Sequence, residues 1–291
     1  MSEVTEKSKP ALFRKTTLGA LGPELPVYRL DSKKNPIQDL EFSFLTWDME
    51  MEEKLSERAE KSKSVGTFIN EMMCMLLDRF CGEDFQSLNP ANKALMMNQL
   101  EWPNMMYLYI YLRVEVLGSD YSLNLICPNT RCGKPIEDYV VNLEDVDVHE
   151  KAFDFESNIP INPRIAKYEL IKPILFNDLT ITAFEFDVSK WDYMERSDSK
   201  DGESAAGLKK LMLKSSISGF FTGEERVSKF LDPQSVMKKM QKIDIEKSIR
   251  LITENNAGPT PLLQGECPYC KTQWTKVLDW SYRSFFDSSS L

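Results

Sequence analysis

Two cysteine-containing turns, about half the chain apart, limit what this sequence can fold into more than any other feature. The first turn reads CPNTRCG, and four residues separate Cys127 from Cys132. The second reads CPYC, and two residues separate Cys267 from Cys270. Gaps of two to four residues between cysteines are typical of metal-binding turns. The sequence therefore predicts that both turns bind a metal ion.

Strand patterns flank both turns. YSLNLI precedes the first and PIEDYVVNL follows it, while PLLQGE precedes the second and TQWTKVLDW follows it. In the first of these, Tyr121, Leu123 and Leu125 alternate, as in a half-buried strand. Each cysteine pair is thus predicted at the tip of a hairpin, and two such hairpins form a zinc ribbon. About 130 residues lie between the hairpins, which is tolerable because the entropy of loop closure grows only logarithmically with length.

We predict that one structural Zn²⁺ is bound by four thiolates, those of Cys127, Cys132, Cys267 and Cys270. Gly133 permits a positive φ after the first turn, and Arg131 would offset part of the negative charge. Three alternatives stay open: free thiols, a redox pair in the second turn, and a catalytic zinc site. The second turn lacks the βαβ pattern of thioredoxin-like redox sites, and a catalytic zinc site would keep one coordination position open.

The remaining residues suited to chemistry indicate no catalytic site. Cys74 and Cys81 lie on or near the apolar face of a predicted helix, which favours buried thiols. The lone histidine, His149, lies in an acidic stretch and is predicted to be solvated. The chain has no Gly-rich phosphate loop, no His-Glu-x-x-His and no Gly-x-Ser-x-Gly. We expect a protein that is not an enzyme; a hydrolase with two facing carboxylates is the enzymatic alternative.

Charge and hydropathy narrow the classes of partner. The 291-residue chain has a net charge of −9 and no long basic run, so nucleic acid is not the expected partner. The longest strongly apolar run, residues 105–112, is far shorter than the roughly 20 residues that cross a bilayer. The first residues lack the apolar segment of a secretory signal. We therefore expect a soluble protein made in a cytoplasm, without a membrane-spanning segment.

The predicted fold class is α+β and mostly helical, with a split four-cysteine zinc ribbon interrupted by a large mixed helical insert. A helix is predicted over residues 65–80, and the insert is predicted to open with two strands, YELIKPILF and LTITAFEFDV, followed by helices near residues 189–197 and 203–217. Helix boundaries are indicated by Asn89 with Pro90, by Pro103 and Gly118, by Asp232 with Pro233, and by Asp244 and Gly258. The predicted regions are an extended N-terminal arm (1–40), a helical region (41–118), the first half of the ribbon (119–148), an inserted, mostly helical lobe (149–259), and the second half with an aromatic end (260–291).

The order of these motifs resembles the baseplate hub and hub-assembly family of contractile-tailed, T-even-type bacteriophages. The resemblance rests on LRVEVLG leading into the first cysteine turn, on VVNLEDV after it, and on GECPYCKTQW near the end. Phe285 and Phe286 form the terminal aromatic pair, and the resemblance covers residues 65–286. The first turn is two residues longer than the Cys-Pro-x-Cys turn of the family. The N-terminal arm and residues 150–185 lie outside the match.

The resemblance implies a non-enzymatic role in virion morphogenesis. The protein would be a component of the tail baseplate hub, or a chaperone-like factor for hub assembly, and other baseplate and hub proteins would be its partners. It would act in the host cytoplasm during assembly or in the tail baseplate of the virion. Residues 1–40, which show no helix or strand period, are predicted to be either a mobile tail or an extended arm that docks on a partner. The alternative is a zinc-ribbon module of a transcription or nucleic-acid-processing complex. Against that alternative, the charges near the cysteines balance: Arg131, Lys134, Lys271 and Lys276 with Glu137, Asp138, Glu266 and Asp279.

We expect one zinc ion per chain, because four cysteines from two turns complete a single tetrahedral site. Elemental analysis of the purified protein measures this directly. Protein purified without any bound metal would contradict the ribbon, and two ions per chain would show that the turns bind metal separately.

Overall fold

A computed structural model describes residues 14–31, 33–62, 65–151, 153–160, 166–188, 213–228, 231–254, 257–260, 262–278 and 286. The helices are α1 (Leu18–Leu21), α2 (Met49–Lys61), α3 (Val65–Leu76), α4 (Pro90–Asn98), α5 (Trp102–Leu117), α6 (Pro233–Met237) and α7 (Lys242–Glu254). The strands are β1 (Arg14–Thr17), β2 (Phe42–Phe44), β3 (Leu77–Phe80), β4 (Glu83–Asp84), β5 (Asp120–Ile126), β6 (Pro135–Asn142), β7 (Asp147–Glu150), β8 (Phe153–Asp154), β9 (Ile159–Pro160), β10 (Ala166–Phe176), β11 (Leu179–Phe186), β12 (Ile217–Thr222), β13 (Glu225–Arg226), β14 (Gly258–Pro259), β15 (Leu262–Glu266) and β16 (Gln273–Val277).

The prediction of a mostly helical protein is wrong. The described part of the chain is mixed, with about 37% of its residues in helices and 34% in strands, and its sheets are antiparallel. One reason is visible at α3, which was predicted to extend to Phe80. The helix ends at Leu76, and the next four residues form β3, which pairs with β2. The apolar spacing of Leu76 and Phe80 suits a helix, but a strand partner more than thirty residues away overrides it.

A second reason lies in the insert, which was predicted to be mostly helical. Its described part contains a four-stranded antiparallel sheet in the order β10, β11, β12, β13. The first two strands were predicted as such, whereas β12 was not predicted, and only its first residue, Ile217, lay in a predicted helix. The helix predicted near residues 189–197 lies outside the described residues, as does most of the helix predicted at 203–217.

Capping signals gave several helix ends correctly. Asn89 accepts a hydrogen bond from the backbone of Asn92 and caps α4, and Asp232 caps α6 in the same way. Pro103 lies in the first turn of α5, and Gly118 ends that helix. The prediction for α7 is wrong, because Asp244 is its third residue rather than its cap. Asp244 is instead buried, where it accepts hydrogen bonds from Tyr168 Oη (2.8 Å) and Ile171 N (3.0 Å) of β10.

Helix α5 forms the centre of the main core. It contains the long apolar run of the sequence, and a helix that is apolar all round must be covered on every side. The N-terminal segment covers one side: the Asn104 amide, itself fully buried, hydrogen-bonds both N and O of Val27 at 2.9 and 3.0 Å. Leu18 and Leu25 are buried in the same core. Residues 14–31 and 33–40 of the predicted arm therefore lie on the chain's own body, and residues 1–13 lie outside the described part.

Two separate clusters of buried side chains divide the described chain. The body cluster contains α2 to α5, the hairpin β5–β6 and the hairpin β15–β16. The lobe cluster contains residues from β10, β11, β12, α6 and α7. Both cysteine hairpins thus pack on the helical body, whereas the insert has a core of its own.

The lobe joins the body through a narrow neck. Strand β7 lies before the lobe and β14 after it, and the two pair antiparallel with His149 opposite Gly258. Strand β1 pairs with the other edge of β7. At the same junction Lys151 Nζ lies 2.6 Å from Asp187 Oδ1 at the end of β11. His149 is half-buried in this sheet rather than solvated as predicted.

The aromatic end of the chain contacts the body. The Phe286 ring is 5% exposed, stacks on Trp47 at 5.2 Å and meets Tyr109 edge-on at 5.3 Å between ring centroids. Phe285 lies outside the described residues. No helix in the described part of the chain combines the length and the apolar character that a bilayer span requires.

We expect Gly258→Ala to lower the free energy of unfolding by about 3 kcal/mol, through overpacking and backbone strain together. A methyl group there would lie 2.4 Å from Pro103 Cβ, and Gly258 has a φ of +90°. Urea denaturation measures the loss. The matched control is Gly223→Ala, which has a φ of +61° but nothing within 4 Å, and should cost about 1 kcal/mol. Equal losses would show that contact with Pro103 is unimportant.

Candidate metal centre

Both predicted hairpins are present, and each carries its cysteines in the connecting turn. Strands β5 and β6 pair from Asp120 opposite Asn142 to Ile126 opposite Pro135. Strands β15 and β16 pair from Leu262 opposite Val277 to Glu266 opposite Gln273. The first cysteine of each turn extends its ladder by one hydrogen bond, from Cys127 N to Lys134 O at 3.0 Å and from Cys267 N to Thr272 O at 2.9 Å. The strands therefore fix where each turn begins.

The structure brings the four predicted ligands together, close enough to hold one metal ion. The sulfur atoms of Cys127, Cys132, Cys267 and Cys270 all lie within 4.8 Å of one another. Cys127 Sγ and Cys270 Sγ, from different hairpins, are 3.5 Å apart. Tetrahedral coordination with Zn–S bonds of about 2.3 Å places sulfurs about 3.8 Å apart, so the cluster has the size of a four-thiolate site.

Burial of the four cysteines follows their order in each turn. Cys127 and Cys267 open their turns and are 4% and 0% exposed, within the body cluster. Cys132 and Cys270 close the turns and are half-buried at the rim. The site thus lies against the core on one side and near the surface on the other.

The residue after each second cysteine has a left-handed backbone. Gly133 has a φ of +54°, as predicted for this position, and Lys271 has a φ of +61°. Glycine adopts this conformation without strain, whereas lysine adopts it at a cost. Lys271 N donates to Cys267 O at 2.9 Å, which closes the second turn. The two turns are therefore alike in backbone form although their lengths differ.

Polar side chains from the two turns meet beside the sulfurs. Asn129 Nδ2 lies 3.1 Å from Thr272 Oγ1 and 3.9 Å from Cys270 Sγ. Thr272 Oγ1 lies 3.2 Å from Cys270 Sγ. The sequence identified Asn129 only as a turn former and gave no role to Thr272. A polar residue two positions after the last cysteine of a turn is the signal that could have found it.

The local surroundings separate the acidities of the metal-free thiols. Burial raises the pKa of the Cys127 thiol to about 12. The Thr272 hydroxyl and backbone amide lower the pKa of the Cys270 thiol to about 6. The pKa of Cys270 therefore lies well below that of Cys127, and Cys127 must lose its proton as an ion enters.

Apolar and aromatic contacts connect the two hairpins below the cysteines. The Tyr139 and Trp274 rings, one from each hairpin, meet edge-to-face with centroids 4.9 Å apart. Gly265 lies opposite Trp274 in the ladder, and a Cβ there would lie 2.2 Å from the indole. At the surface, Lys134 Nζ lies 4.7 Å from the centre of the Tyr269 ring. Arg131 is exposed.

The other two cysteines lie outside the cluster. Cys74, in α3, and Cys81, after β3, are both half-buried rather than fully buried as predicted. Burial raises the pKa of the Cys81 thiol, and the nearby Arg29 guanidinium, 3.7 Å from its sulfur, offsets part of that rise. Both are therefore expected to be thiols that take no part in metal binding.

Comparison of the chain with protein-family models, with curated proteins and with solved structures found no match. Four sulfurs around one ion fill a tetrahedron and leave no position for substrate or water. Such a centre cross-links two distant segments of chain, and it does not activate a nucleophile.

We expect Cys127→Ser and Cys267→Ser to lower the free energy of unfolding by similar amounts, about 4 kcal/mol, because each removes one buried ligand of the same site. Chemical denaturation together with zinc content measures both effects. Cys74→Ser is the matched control and should keep the metal, since Cys74 lies outside the cluster. A large loss for only one of the two ligand variants would show that the turns are not joined through a metal.

Proposed function

We propose that the protein is a non-enzymatic component or assembly factor of the baseplate hub of a contractile bacteriophage tail, and that it works through protein–protein contacts. A structural zinc ion holds its two cysteine hairpins together. The observation that carries the proposal is the joining of the two cysteine turns, 135 residues apart from Cys132 to Cys267, beside one core. That arrangement is the one implied by the motif order that resembles the hub family.

Two further features support this role. The aromatic end, through Phe286, packs on the helical body, so the second hairpin is anchored on both sides. The enlarged first turn, the main departure from the family pattern, still brings Cys132 into the four-sulfur cluster. The extra residues therefore do not prevent a shared site.

The partners we propose are other baseplate and hub proteins. They would meet the protein in the host cytoplasm during assembly, or in the tail baseplate. We also assign docking to the N-terminal arm, residues 1–40, of which residues 14–31 and 33–40 contact the chain's own body. The chain's net charge of −9 favours partners with basic surfaces over nucleic acid.

One observation favours the alternative, a zinc-ribbon module of a nucleic-acid-processing complex. Tyr269 at the tip of the second turn is 57% exposed, and a single-stranded base could stack on such a ring. The surrounding charge argues against it. Lys271 pairs with Glu266 at 3.2 Å, and Lys276 Nζ donates to Asn124 O at 2.9 Å. These two lysines already have partners within the protein, which weakens the case for phosphate contacts, and the protein–protein role is preferred.

We expect a phage that lacks this gene to produce filled heads without baseplate-bearing tails, because the hub would not form. Negative-stain electron microscopy of the infected lysate shows this, and a plasmid copy of the gene should restore infectious particles. Affinity purification of the tagged protein from infected cells should recover tail proteins. Recovery of replication or transcription proteins without tail components, together with normal tails in the deletion, would reverse the ranking.

A further inference from the structure

We propose that Asn129 is the positioning residue of the metal centre. It holds the enlarged first turn in a compact form and, through Thr272, orients the Cys270 sulfur toward the ion. This inference rests on the proposed structural metal site and goes beyond it by assigning a role to a residue that binds no metal itself.

The backbone of Asn129 organises the longer turn. Its carbonyl oxygen accepts hydrogen bonds from Cys132 N at 2.9 Å and from Gly133 N at 2.8 Å. Its side-chain Oδ1 accepts from Arg131 N at 3.0 Å. Three backbone amides of the turn, those of Arg131, Cys132 and Gly133, thus donate to Asn129. This explains how four intervening residues present their two sulfurs to the same point as two residues do in the second turn.

The side chain of Asn129 reaches the opposite hairpin. Its Nδ2 donates to Thr272 Oγ1 at 3.1 Å, and that hydroxyl lies 3.2 Å from Cys270 Sγ. The Cys270 thiol donates to Oγ1 in the metal-free protein, and once the sulfur is a metal-bound thiolate the Thr272 hydroxyl can donate to it instead, because Oγ1 already accepts from the amide. The result is a chain of donors, amide to hydroxyl to thiolate, in which each bond polarises the next. Donors to a ligand atom fix its orientation and disperse its charge.

The chemistry selects asparagine at this position. Aspartate has nearly the same shape and could still accept from Arg131 N, but it has no hydrogen to donate and adds negative charge beside the sulfurs. Alanine removes every side-chain contact. Thr130, the next residue in the same turn, is exposed and serves as the matched control.

The rate of zinc transfer from the protein to a chromophoric chelator tests the role. We expect Asn129→Asp and Thr272→Val each to transfer zinc about 10- to 100-fold faster than the unaltered protein, as for other residues that support ligands. Thr272→Ser keeps the hydroxyl and should restore the original rate, and Thr130→Ala should not change it. The double variant Asn129→Asp with Thr272→Val should raise the rate by less than the product of the two single increases, because both changes break one chain of bonds.

A spectroscopic measurement separates positioning from general loss of structure. In the Co²⁺-loaded protein, the sulfur-to-metal charge-transfer band should shift in Asn129→Asp and Thr272→Val and stay in place in Thr130→Ala. If Asn129→Asp fails to fold, the Thr272→Val and Thr272→Ser pair still tests the donor chain from the other hairpin.

The results test the role of Asn129 separately from the metal site on which that role depends. Unaltered zinc transfer and an unshifted band in Asn129→Asp and Thr272→Val, in a protein that binds one zinc, would overturn the role of Asn129 and leave the metal centre intact. Additive effects in the double variant would overturn the donor chain. If the unaltered protein binds neither Zn²⁺ nor Co²⁺, the proposed metal centre itself is wrong and this inference falls with it.

Discussion

The convergence of four sulfur atoms from two hairpins far apart in the chain is the constraint on which the rest of the architecture depends. The buried members, Cys127 and Cys267, belong to the same cluster of side chains as the central helix α5. A metal ion at this point would therefore join two turns that are already attached to one core. Coordination and apolar packing act on the same pair of hairpins, and the Tyr139–Trp274 contact lies between them.

This arrangement explains how the chain accommodates a large insert without disturbing the site. The insert has its own apolar cluster and its own four-stranded sheet, so its folding depends little on contacts with the body. Its two ends return to neighbouring positions because β7 and β14 pair. Backbone hydrogen bonds between β7 and β14 thus bring the two ends of the insert together. A metal ion at the cysteines would therefore not have to offset the whole entropic cost of closing this long loop.

The structural features that could be predicted from the sequence are those that neighbouring residues determine. The hairpins follow from alternation next to Cys-Pro turns, and the caps Asn89 and Asp232 follow from a side chain that satisfies a nearby amide. The four-cysteine set followed from spacing alone. What failed depends on contacts with distant residues: β3 needs β2 for a partner, β12 needs β11, and Asp244 is held by the edge of β10. The Asn129–Thr272 contact crosses between turns 143 positions apart, so no window along the chain could contain it.

The neck has a consequence for how this protein could vary. The insert begins and ends on neighbouring strands and has a core of its own, so it can be replaced as a unit. It could be lengthened, exchanged for another unit or reduced to a short linker while the clamp and the helical body keep their positions. Differences in sequence and length among homologous chains would then be concentrated between Glu150 and Gly258, while the two flanking hairpins would stay similar.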